Sequence, residues 1–176
     1  QYPVPEDLLT GIKSFFSVLD IPFESQDADM MPPSFREKFN CYLCARNRKR
    51  ILFEYAEKHG ISKIATGHHL DDIAETTLIN LCLRGNFSTM MPVQEFFNGK
   101  LKLIRPLCMV RESSIELASK RLELPVYSTI CPYKETNLRL KMKPVLRQLS
   151  HLDKKVYEHI FDAPWNINHE YLPGNL

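Results

Sequence analysis

Three things are scarce in this sequence of 176 residues, and each scarcity excludes a class of protein. There are only six glycines against twelve prolines, which argues for ordered loops rather than a flexible linker. The unbroken apolar runs are a few residues long, whereas a membrane-spanning helix needs roughly 20 apolar residues. A large excess of one charge is absent too, since 23 basic and 21 acidic residues leave a formal net charge of +2. No secretory signal peptide is visible, so we expect a soluble cytoplasmic protein without a membrane partner.

The composition is that of a folded chain. Hydrophobic residues make up 44% and charged residues 25%, so the chain can bury a core and is not disordered by composition. Its length suits one domain of ordinary size, or one domain with a small appendage. Because the first residue is Gln1 rather than Met, we expect a further segment to precede it in the gene product.

Hydrophobic periodicity predicts an alternation of helices and short strands. The predicted helices cover residues 6–19, 44–59, 71–84, 111–122 and 138–161, the last interrupted near Pro144. The predicted strands cover residues 21–25, 61–66, 101–107 and 126–129, and residues 85–99 are predicted to be irregular. This order is typical of an α/β fold, in which helices flank a parallel sheet and ligands bind beyond the carboxyl ends of its strands. We expect this α/β domain over residues 1–130 and a basic, mainly helical extension over residues 131–176.

Basic residues are concentrated in two segments. Residues 36–50 hold six basic residues and one acidic residue, and residues 134–155 hold seven basic and two acidic ones, so the rest of the chain is acidic on balance. Two such stretches suit a polyanionic partner, although a solvated face rich in lysine and arginine would give the same counts. For a nucleic acid partner, the candidate contacts are Arg46, Arg48, Lys49, Arg50, Lys141 and Arg147.

The most informative segment follows the strand predicted over residues 61–66. A turn at Gly67 leads through His68 and His69 into a helix whose first turn carries Asp71 and Asp72. Either carboxylate can cap this helix, which is a purely structural role. Two adjacent carboxylates, two histidines and a glycine at the carboxyl end of a strand are more than capping needs. They can hold Mg²⁺ and orient the phosphates of a nucleotide, so we predict a site here.

The five cysteines divide by context. Cys82 lies at helical spacing from an apolar stripe and Cys108 ends a short apolar run, so both are predicted to pack in a core. Cys41, Cys44 and Cys131 have polar, basic or turn-forming neighbours instead. In an intracellular chain, such cysteines are more often metal ligands or reactive thiols than structural disulfides. A redox disulfide between Cys41 and Cys44 is the alternative.

Taken together, these motifs resemble a known family. The run GHHLDDIAET, from Gly67 to Thr76, resembles the GHxxDDxxET signature of PP-loop ATPases that modify tRNA. The CYLC pair at residues 41–44, followed by ARNRKR, narrows the match, as do IRPL at residues 104–107, VRE at residues 110–112 and Cys131 in a proline-flanked turn. From about residue 20 to residue 150, the chain is similar to the tRNA 2-thiocytidine synthetases, which are tRNA cytidine sulfurtransferases.

This resemblance implies a PP-loop ATPase fold of the adenine nucleotide α-hydrolase type and a reaction in two steps. ATP adenylates a cytidine base of tRNA with the help of Mg²⁺, and sulfur then displaces AMP. Asp71, Asp72 and His68 are expected to act in catalysis, while Gly67, His68 and the two aspartates line the nucleotide site. The expected partners are tRNA and a sulfur donor, and a homodimer is left open.

The same resemblance implies that Cys41, Cys44 and Cys131 hold a [4Fe–4S] cluster, whose fourth iron can bind sulfur. The family often has a second CxxC where this chain has Cys131 followed by Pro-Tyr-Lys, so three thiols are available. Structural zinc is the alternative, and it would need a fourth ligand such as His69.

The family's phosphate loop, SGGxDS, does not occur in these 176 residues. We expect it upstream of Gln1, together with the first strands of the sheet. Two other functions therefore stay open. One is a non-catalytic metal- and RNA-binding fragment or remnant of such an enzyme. The other is a related tRNA-modifying PP-loop ligase, such as a lysidine synthetase, whose family shares the GHHxDD run but lacks the paired cysteines.

Overall fold

A computed structural model of the protein describes residues 4–29, 40–126 and 137–172. The chain divides into two compact units, one formed by Gln1–Ile61 and Ser113–Glu135 and the other by Ser62–Glu112 and Thr136–Leu176. The boundary predicted at residue 130 and most of the strand predicted over residues 126–129 lie outside the described residues.

The helices in chain order are α1 (Glu6–Val18), α2 (Cys41–Lys58), α3 (Leu70–Leu78), α4 (Glu112–Arg121), α5 (Leu138–Leu152) and α6 (Val156–Asp162). The strands are β1 (Lys63–Ala65), β2 (Val93–Phe96) and β3 (Leu101–Ile104). A π-helical turn, Ile79–Leu83, follows α3, and short 3₁₀ turns cover Ala163–Trp165 and His169–Tyr171. Within the described ranges, no helix combines the length and the apolar character that crossing a membrane requires.

Helix α2 lies in the first unit and begins earlier than the helix predicted over residues 44–59. The side chain of Asn40 caps it by accepting a hydrogen bond from the backbone N–H of Leu43, at 3.0 Å. The helix ends before Gly60, whose φ of +65° lies in the left-handed region that helix termini favour. Because the helix starts at Cys41, both Cys41 and Cys44 lie in its first turn.

The helix predicted over residues 6–19 is confirmed as α1, but the prediction of a strand over residues 21–25 is wrong. That segment carries no strand in the structure. Pro22 lacks the N–H that a strand ladder needs, and the ring of Phe23 stacks on Phe16 of α1 with centroids 5.5 Å apart. Side-chain packing on α1 therefore replaces sheet hydrogen bonds here.

The second unit contains a sheet of three strands in the order β1-β3-β2. β1 and β3 are parallel, with Ile64 opposite Leu103, which confirms the predicted α/β architecture. β2 runs antiparallel to β3 and lies in the region predicted to be irregular. The turn between β2 and β3 places Asn98 and Gly99 at positive φ, and an Asn-Gly pair is a hairpin signal that the sequence reading overlooked.

The core of the second unit lies between α3 and the two C-terminal helices. Ile73 and Ala74 of α3 are completely buried, as is Leu146 of α5. The other members of this cluster are Leu70, Ile79, Met142, Tyr157 and Phe161. The described part of the basic C-terminal segment therefore packs on α3, because one face of α5 and α6 is apolar.

Of the two cysteines predicted to pack in a core, only Cys108 does, since it is half-buried against the cluster around α3. Cys82 is exposed, so that prediction is wrong. The cause is the π-helical turn Ile79–Leu83, which adds a residue to one turn and rotates the following positions out of the α-helical stripe. The helix predicted over residues 71–84 accordingly ends as an α-helix at Leu78.

The C-terminal helical segment is interrupted at a different place from the one predicted. Pro144 lies inside α5, where it removes one N–H from the helical ladder. Buried Met142 and Leu146 lie on either side of it and hold this part of α5 in the core. The break falls at Asp153, whose extended backbone ends α5 and whose carboxylate accepts a hydrogen bond from the N–H of Lys155, at 2.8 Å.

Candidate functional site

Between β1 and α3 the chain makes the turn that contains Gly67 and His68. The backbone N–H of Thr66 donates to the carbonyl of Ile104 at 3.0 Å, which continues the β1–β3 pairing to the carboxyl ends of both strands. Nδ1 of His68 lies 2.9 Å from the Thr66 hydroxyl. Burial lowers the pKa of His68, although Asp72 opposes this effect. The imidazole is therefore neutral at pH 7 and can accept a hydrogen bond through one ring nitrogen.

The first turn of α3 is closed by a reciprocal cap between His69 and Asp72. The Asp72 carboxylate accepts a hydrogen bond from the backbone N–H of His69 at 3.1 Å, and Nδ1 of His69 accepts one from the backbone N–H of Asp72 at 3.4 Å. Nε2 of His69 lies 3.3 Å from the same carboxylate. Asp72 thus performs the capping role that the sequence left open, and both ring nitrogens of His69 face local partners.

Asp71 is buried and its carboxylate has several donors. It accepts hydrogen bonds from Nε and Nη2 of Arg111, at 3.2 Å each, and from the backbone N–H of Glu112 at 2.8 Å. Only 9% of the Asp71 side chain is exposed, against 33% for Arg111. Because α4 begins at Glu112, Asp71 both neutralises Arg111 and caps the start of α4.

Asp72 differs from its neighbour in its own exposure and in that of its partner. Its carboxylate lies 3.2 Å from Nη1 of Arg139 on α5, and Nη2 of Arg139 donates to the hydroxyl of Thr76 at 3.4 Å. The Asp72 side chain is 19% exposed and that of Arg139 is 39% exposed. A solvent-accessible ion pair is weak, so a ligand can replace Arg139 more easily than it can replace Arg111. The two aspartates are therefore not equivalent.

Glu75 lies one turn further along α3 and is 2% exposed. Burial raises the pKa of Glu75 to about 7, although the nearby Lys143 ammonium opposes the rise. Lys143 itself donates to both carboxylate oxygens of Glu112, at 2.7 Å each. The acids Asp71, Asp72 and Glu75 of α3, and Glu112 at the start of α4, therefore interact with a group of three cations. These cations are Arg111, Arg139 and Lys143.

The sequence reading assigns neither Glu75 nor these three cations to the site. The sequence does contain a pattern that indicates Arg139 and Lys143. They are four residues apart and lie on the face of α5 that carries Met142. A cation within an apolar helical stripe indicates a buried acidic partner. The VRE motif contains Arg111, but nothing in the sequence indicates that its partner lies 40 residues earlier.

Cys41 and Cys44 are three residues apart in the first turn of α2 and therefore lie on one side of that helix. Cys41 is exposed and Cys44 is half-buried, with Nη2 of Arg48 3.9 Å from its sulfur. Two accessible thiols beside a guanidinium fit the donor set that a cluster or a soft metal ion needs. Cys131 lies outside the described residues, so the predicted set of three thiols stays a prediction.

No group of three cysteine, histidine or acidic side chains in the described ranges forms a complete metal site. For Mg²⁺, the chemistry of the donors distinguishes the two aspartates. The oxygens of Asp71 already face Arg111 and the backbone of Glu112, whereas Asp72 has the more accessible carboxylate. Asp72 therefore fits a Mg²⁺ ligand, and Asp71 does not while its present partners hold it.

The basic residues of the two charged segments fall into different groups. Arg46, Arg48, Lys49 and Arg50 are all exposed on α2, and Arg50 pairs with Glu54 at 2.6 Å. On α5, Lys141 and Arg147 are exposed, whereas Arg139 and Lys143 face acids within their own unit. Part of the positive charge counted in the sequence is therefore neutralised internally, and Lys141 and Arg147 remain available to an external anion.

Comparison with known proteins places these residues in a defined context. A family model described as a PP-loop domain matches residues 9–128. The tRNA-cytidine(32) 2-sulfurtransferase of Alkalilimnicola ehrlichii is 33% identical over 173 residues, which cover 96% of this chain and 54% of that protein. The protein of the same name from Geobacter sulfurreducens is 35% identical over 134 residues, covering 75% and 52% of the two chains. The chain thus spans about half the length of the curated relatives it matches.

One solved structure has a similar fold. It is the U34-tRNA thiolase NcsA from Methanococcus maripaludis with its [4Fe–4S] cluster, and its TM-score to this chain is 0.70. The match covers 90% of this chain and 56% of the thiolase, at 21% sequence identity. At that identity the likeness supports the α/β fold alone.

Proposed function

The chain belongs to the PP-loop domain family, and on that premise we propose that it forms part of an ATP-dependent tRNA sulfurtransferase that thiolates a cytidine base. One observation carries the proposal. The acidic start of α3 lies at the carboxyl ends of β1 and β3, where α/β folds bind their ligands. The similarity to tRNA-cytidine(32) 2-sulfurtransferases over 96% of the chain supports the choice of substrate.

The proposed reaction replaces the C2 oxygen of cytidine by sulfur in two balanced steps. The C2 oxygen first attacks the α-phosphate of ATP, so that pyrophosphate leaves and the oxygen is held as an adenylate. A sulfur nucleophile from a donor then attacks C2, and the C–O bond breaks with AMP as the leaving group. The protein has to bind a polyanionic nucleotide beside a single base and to exclude water, which would otherwise hydrolyse the adenylate.

On the nucleotide side, we assign Gly67, His68 and Asp72 to the phosphates and their counter-ion. The turn at Gly67 lies directly before the start of α3, and the space beside Gly67 is open, so a phosphate can approach the backbone there. Mg²⁺, when bound, would neutralise phosphate charge, and Asp72 is the accessible carboxylate that suits it. Neutral His68 can hold a hydrogen bond to the substrate through its free ring nitrogen.

On the sulfur side, we assign Cys41, Cys44 and Cys131 to a [4Fe–4S] cluster. Bound there by three thiolates, a cluster would supply an open iron for a sulfur atom. The placement of Cys41 and Cys44 in one helical turn supports shared coordination, and Arg48 lies near the sulfur of Cys44. Zinc is the competing metal, and the two differ in composition, since only the cluster contains acid-labile sulfide.

The remaining assignment is the set of tRNA contacts, which are Arg46, Arg48, Lys49 and Arg50 in the first unit and Lys141 and Arg147 in the second. These residues are exposed on their helices. Binding of RNA phosphates releases counter-ions, so tRNA affinity should fall steeply with added salt. Replacing Arg48, Lys49, Lys141 and Arg147 by alanine should lower the slope of log Kd against log salt concentration by about one for each side chain that binds a phosphate. An unchanged slope would leave only a solvated basic face.

The deciding experiment combines metal analysis with thiolation. The full-length gene product, prepared without oxygen, should contain iron and acid-labile sulfide. With ATP, Mg²⁺, sulfide and an unmodified tRNA transcript, it should release AMP and form 2-thiocytidine, which mass spectrometry of the digested RNA detects. Cys41→Ala should remove both the iron and the thiolation. Cys82→Ala is the matched control, because Cys82 is also exposed but lies outside the proposed set.

Each other outcome has a definite meaning. Iron and tRNA binding without AMP release would assign a metal- and RNA-binding module rather than an enzyme. AMP release with lysine incorporation and no sulfur would assign a lysidine synthetase. Absence of iron from the wild-type protein, or its retention in the Cys41 variant, would refute the cluster assignment. Sedimentation with and without tRNA would test whether the protein forms a homodimer, which the sequence leaves open, and fractionation of cells would test the expected cytoplasmic location.

A further inference from the structure

Tyr157 lies far from the family motifs in sequence but contacts the candidate site through Arg111. The Cζ atom of Arg111 lies 3.5 Å from the centroid of the Tyr157 ring. Tyr157 is 5% exposed and belongs to the core cluster that joins α6 to α3. The guanidinium is therefore stacked on an aromatic face whose own position is fixed by packing, and such a contact is stronger where water is excluded.

Opposite that contact, the same guanidinium donates to both oxygens of Asp71. The backbone N–H of Glu112 adds a third donor to this carboxylate. The backbone N–H of Leu70 also donates to the carbonyl of Val110, at 3.0 Å. The start of α3 and the start of α4 are thus joined by a backbone bond and by Asp71, and Arg111 is the group that neutralises Asp71 at this joint.

We propose that Tyr157 and Arg111 are positioning residues that commit Asp71 to joining the start of α3 to residues 110–112 of the same unit, which leaves Asp72 as the acid that faces the ligand. The positioning part depends only on contacts within the second unit. The ligand part rests on the proposed function. The C-terminal helix α6 then sets the geometry of the nucleotide site without contacting the nucleotide.

Two substitutions of Tyr157 distinguish the contact of its ring with Arg111 from its contribution to core packing. Tyr157→Phe keeps a ring over Arg111, whereas Tyr157→Leu keeps apolar volume but removes the ring. Phe161→Leu is the matched control, because Phe161 lies on the same helix and in the same cluster, and its ring contact is with Trp165 rather than with Arg111. Each leucine variant removes a ring from the same core cluster, so a loss of core packing is expected for both.

Two readouts are needed so that the positioning role and the proposed function fail separately. The first is the Nε–H resonance of Arg111 in the full chain, whose slow solvent exchange reports its bond to Asp71. We expect this protection to persist in Tyr157→Phe and Phe161→Leu and to fall by about 10-fold or more in Tyr157→Leu. The second is thiolation, where kcat should fall by about 10-fold in Tyr157→Leu with KM for tRNA unchanged.

Retention of Arg111 protection in Tyr157→Leu would refute the positioning role, and so would a kcat equal to that of Phe161→Leu. A wild-type protein without thiolation would refute the proposed function, yet the exchange measurement would still decide the positioning role. If Tyr157→Leu does not fold, Arg111→Lys takes its place, since lysine keeps the charge but cannot donate two parallel hydrogen bonds to Asp71. A kcat equal to wild type in Arg111→Lys would then refute the proposal.

Discussion

The starts of α2 and α3 carry the two candidate chemistries of this chain, and they are built in opposite ways. The first turn of α3 holds Asp71 and Asp72, which suit the positive end of a helix, and both acids have cationic partners within the same unit. The first turn of α2 holds no acidic residue but contains Cys41 and Cys44, and exposed arginines and a lysine follow over the next two turns.

This difference shows how stability and ligand binding are divided between the two helices. Opposite charges at the start of α3 stabilise the fold before any ligand arrives. At the start of α2, no acidic residue complements the helix dipole. The exposed cations of the next two turns can instead attract an external anion, such as RNA phosphate or a thiolate-bound cluster. The comparison predicts that substitutions of the buried acids Asp71 and Glu75 of α3 change mainly the free energy of unfolding, whereas substitutions at the start of α2 mainly change binding.

The largest effect is expected from Asp71→Asn. The variant leaves the largely buried guanidinium of Arg111 without its carboxylate partner. Removing one partner of a buried ion pair lowers the free energy of unfolding by about 3 kcal/mol. Urea denaturation of the full chain measures this loss. A surface ion pair contributes at most about 1 kcal/mol to stability. A loss smaller than this would show that the pair of Asp71 and Arg111 stabilises the fold no more than a surface pair does.

The next effect concerns pH and Glu75. Because the pKa of Glu75 is raised from 4.5 to about 7 in the folded protein, the folded state holds the proton more tightly than the unfolded chain does. The resulting stabilisation is complete below about pH 4.5 and is lost as the pH rises through 7. Between pH 5 and pH 8, the wild type should therefore lose about 2 kcal/mol more stability than Glu75→Gln. Parallel pH curves for the two proteins would contradict the burial of this acid.

A smaller effect is expected from Asp72→Asn. Its pair with Arg139 is partly exposed, so the free energy of unfolding should fall by only about 1 kcal/mol, including the weakened cap. Under the proposed function, the same substitution in the full-length protein should abolish Mg²⁺-dependent AMP release with the fold intact. If Asp72→Asn instead destabilises the protein as much as Asp71→Asn, the two aspartates are equivalent and the comparison between them fails.

The smallest effect on stability is expected from Tyr42→Glu at the start of α2. Tyr42 is exposed in the first turn, where an acid interacts favourably with the helix dipole by about 0.5 kcal/mol. The variant should therefore be slightly more stable to urea, and under the proposed function its affinity for tRNA should be lower at low salt. Tyr42→Gln is the uncharged control. Equal tRNA affinity of Tyr42→Glu and Tyr42→Gln would show that the start of α2 does not contribute to RNA binding.

Much of this arrangement can be predicted from local sequence patterns. Gly60 marks the end of α2 because a left-handed residue is needed there, and the apolar stripe through Ile73 marks the buried face of α3. The local pattern also predicts that the turn from Gly67 to Asp72 follows a strand and begins a helix, which the structure confirms. These features depend on residues that are close together in the chain, so hydrophobic periodicity and helix-capping rules are enough to predict them.

The sequence by itself determined which residues carry charge, thiols and apolar side chains, and it placed most of the helices. Only the tertiary structure decided that Asp71 faces Arg111 while Asp72 faces Arg139, although the two acids are neighbours in the chain. Successive residues of a helix point about 100° apart, so their partners come from different, distant elements. A count of positive charge cannot distinguish Lys143, which is bound to Glu112, from exposed Lys141, because helical spacing shows which side chains share a face but not what packs against it.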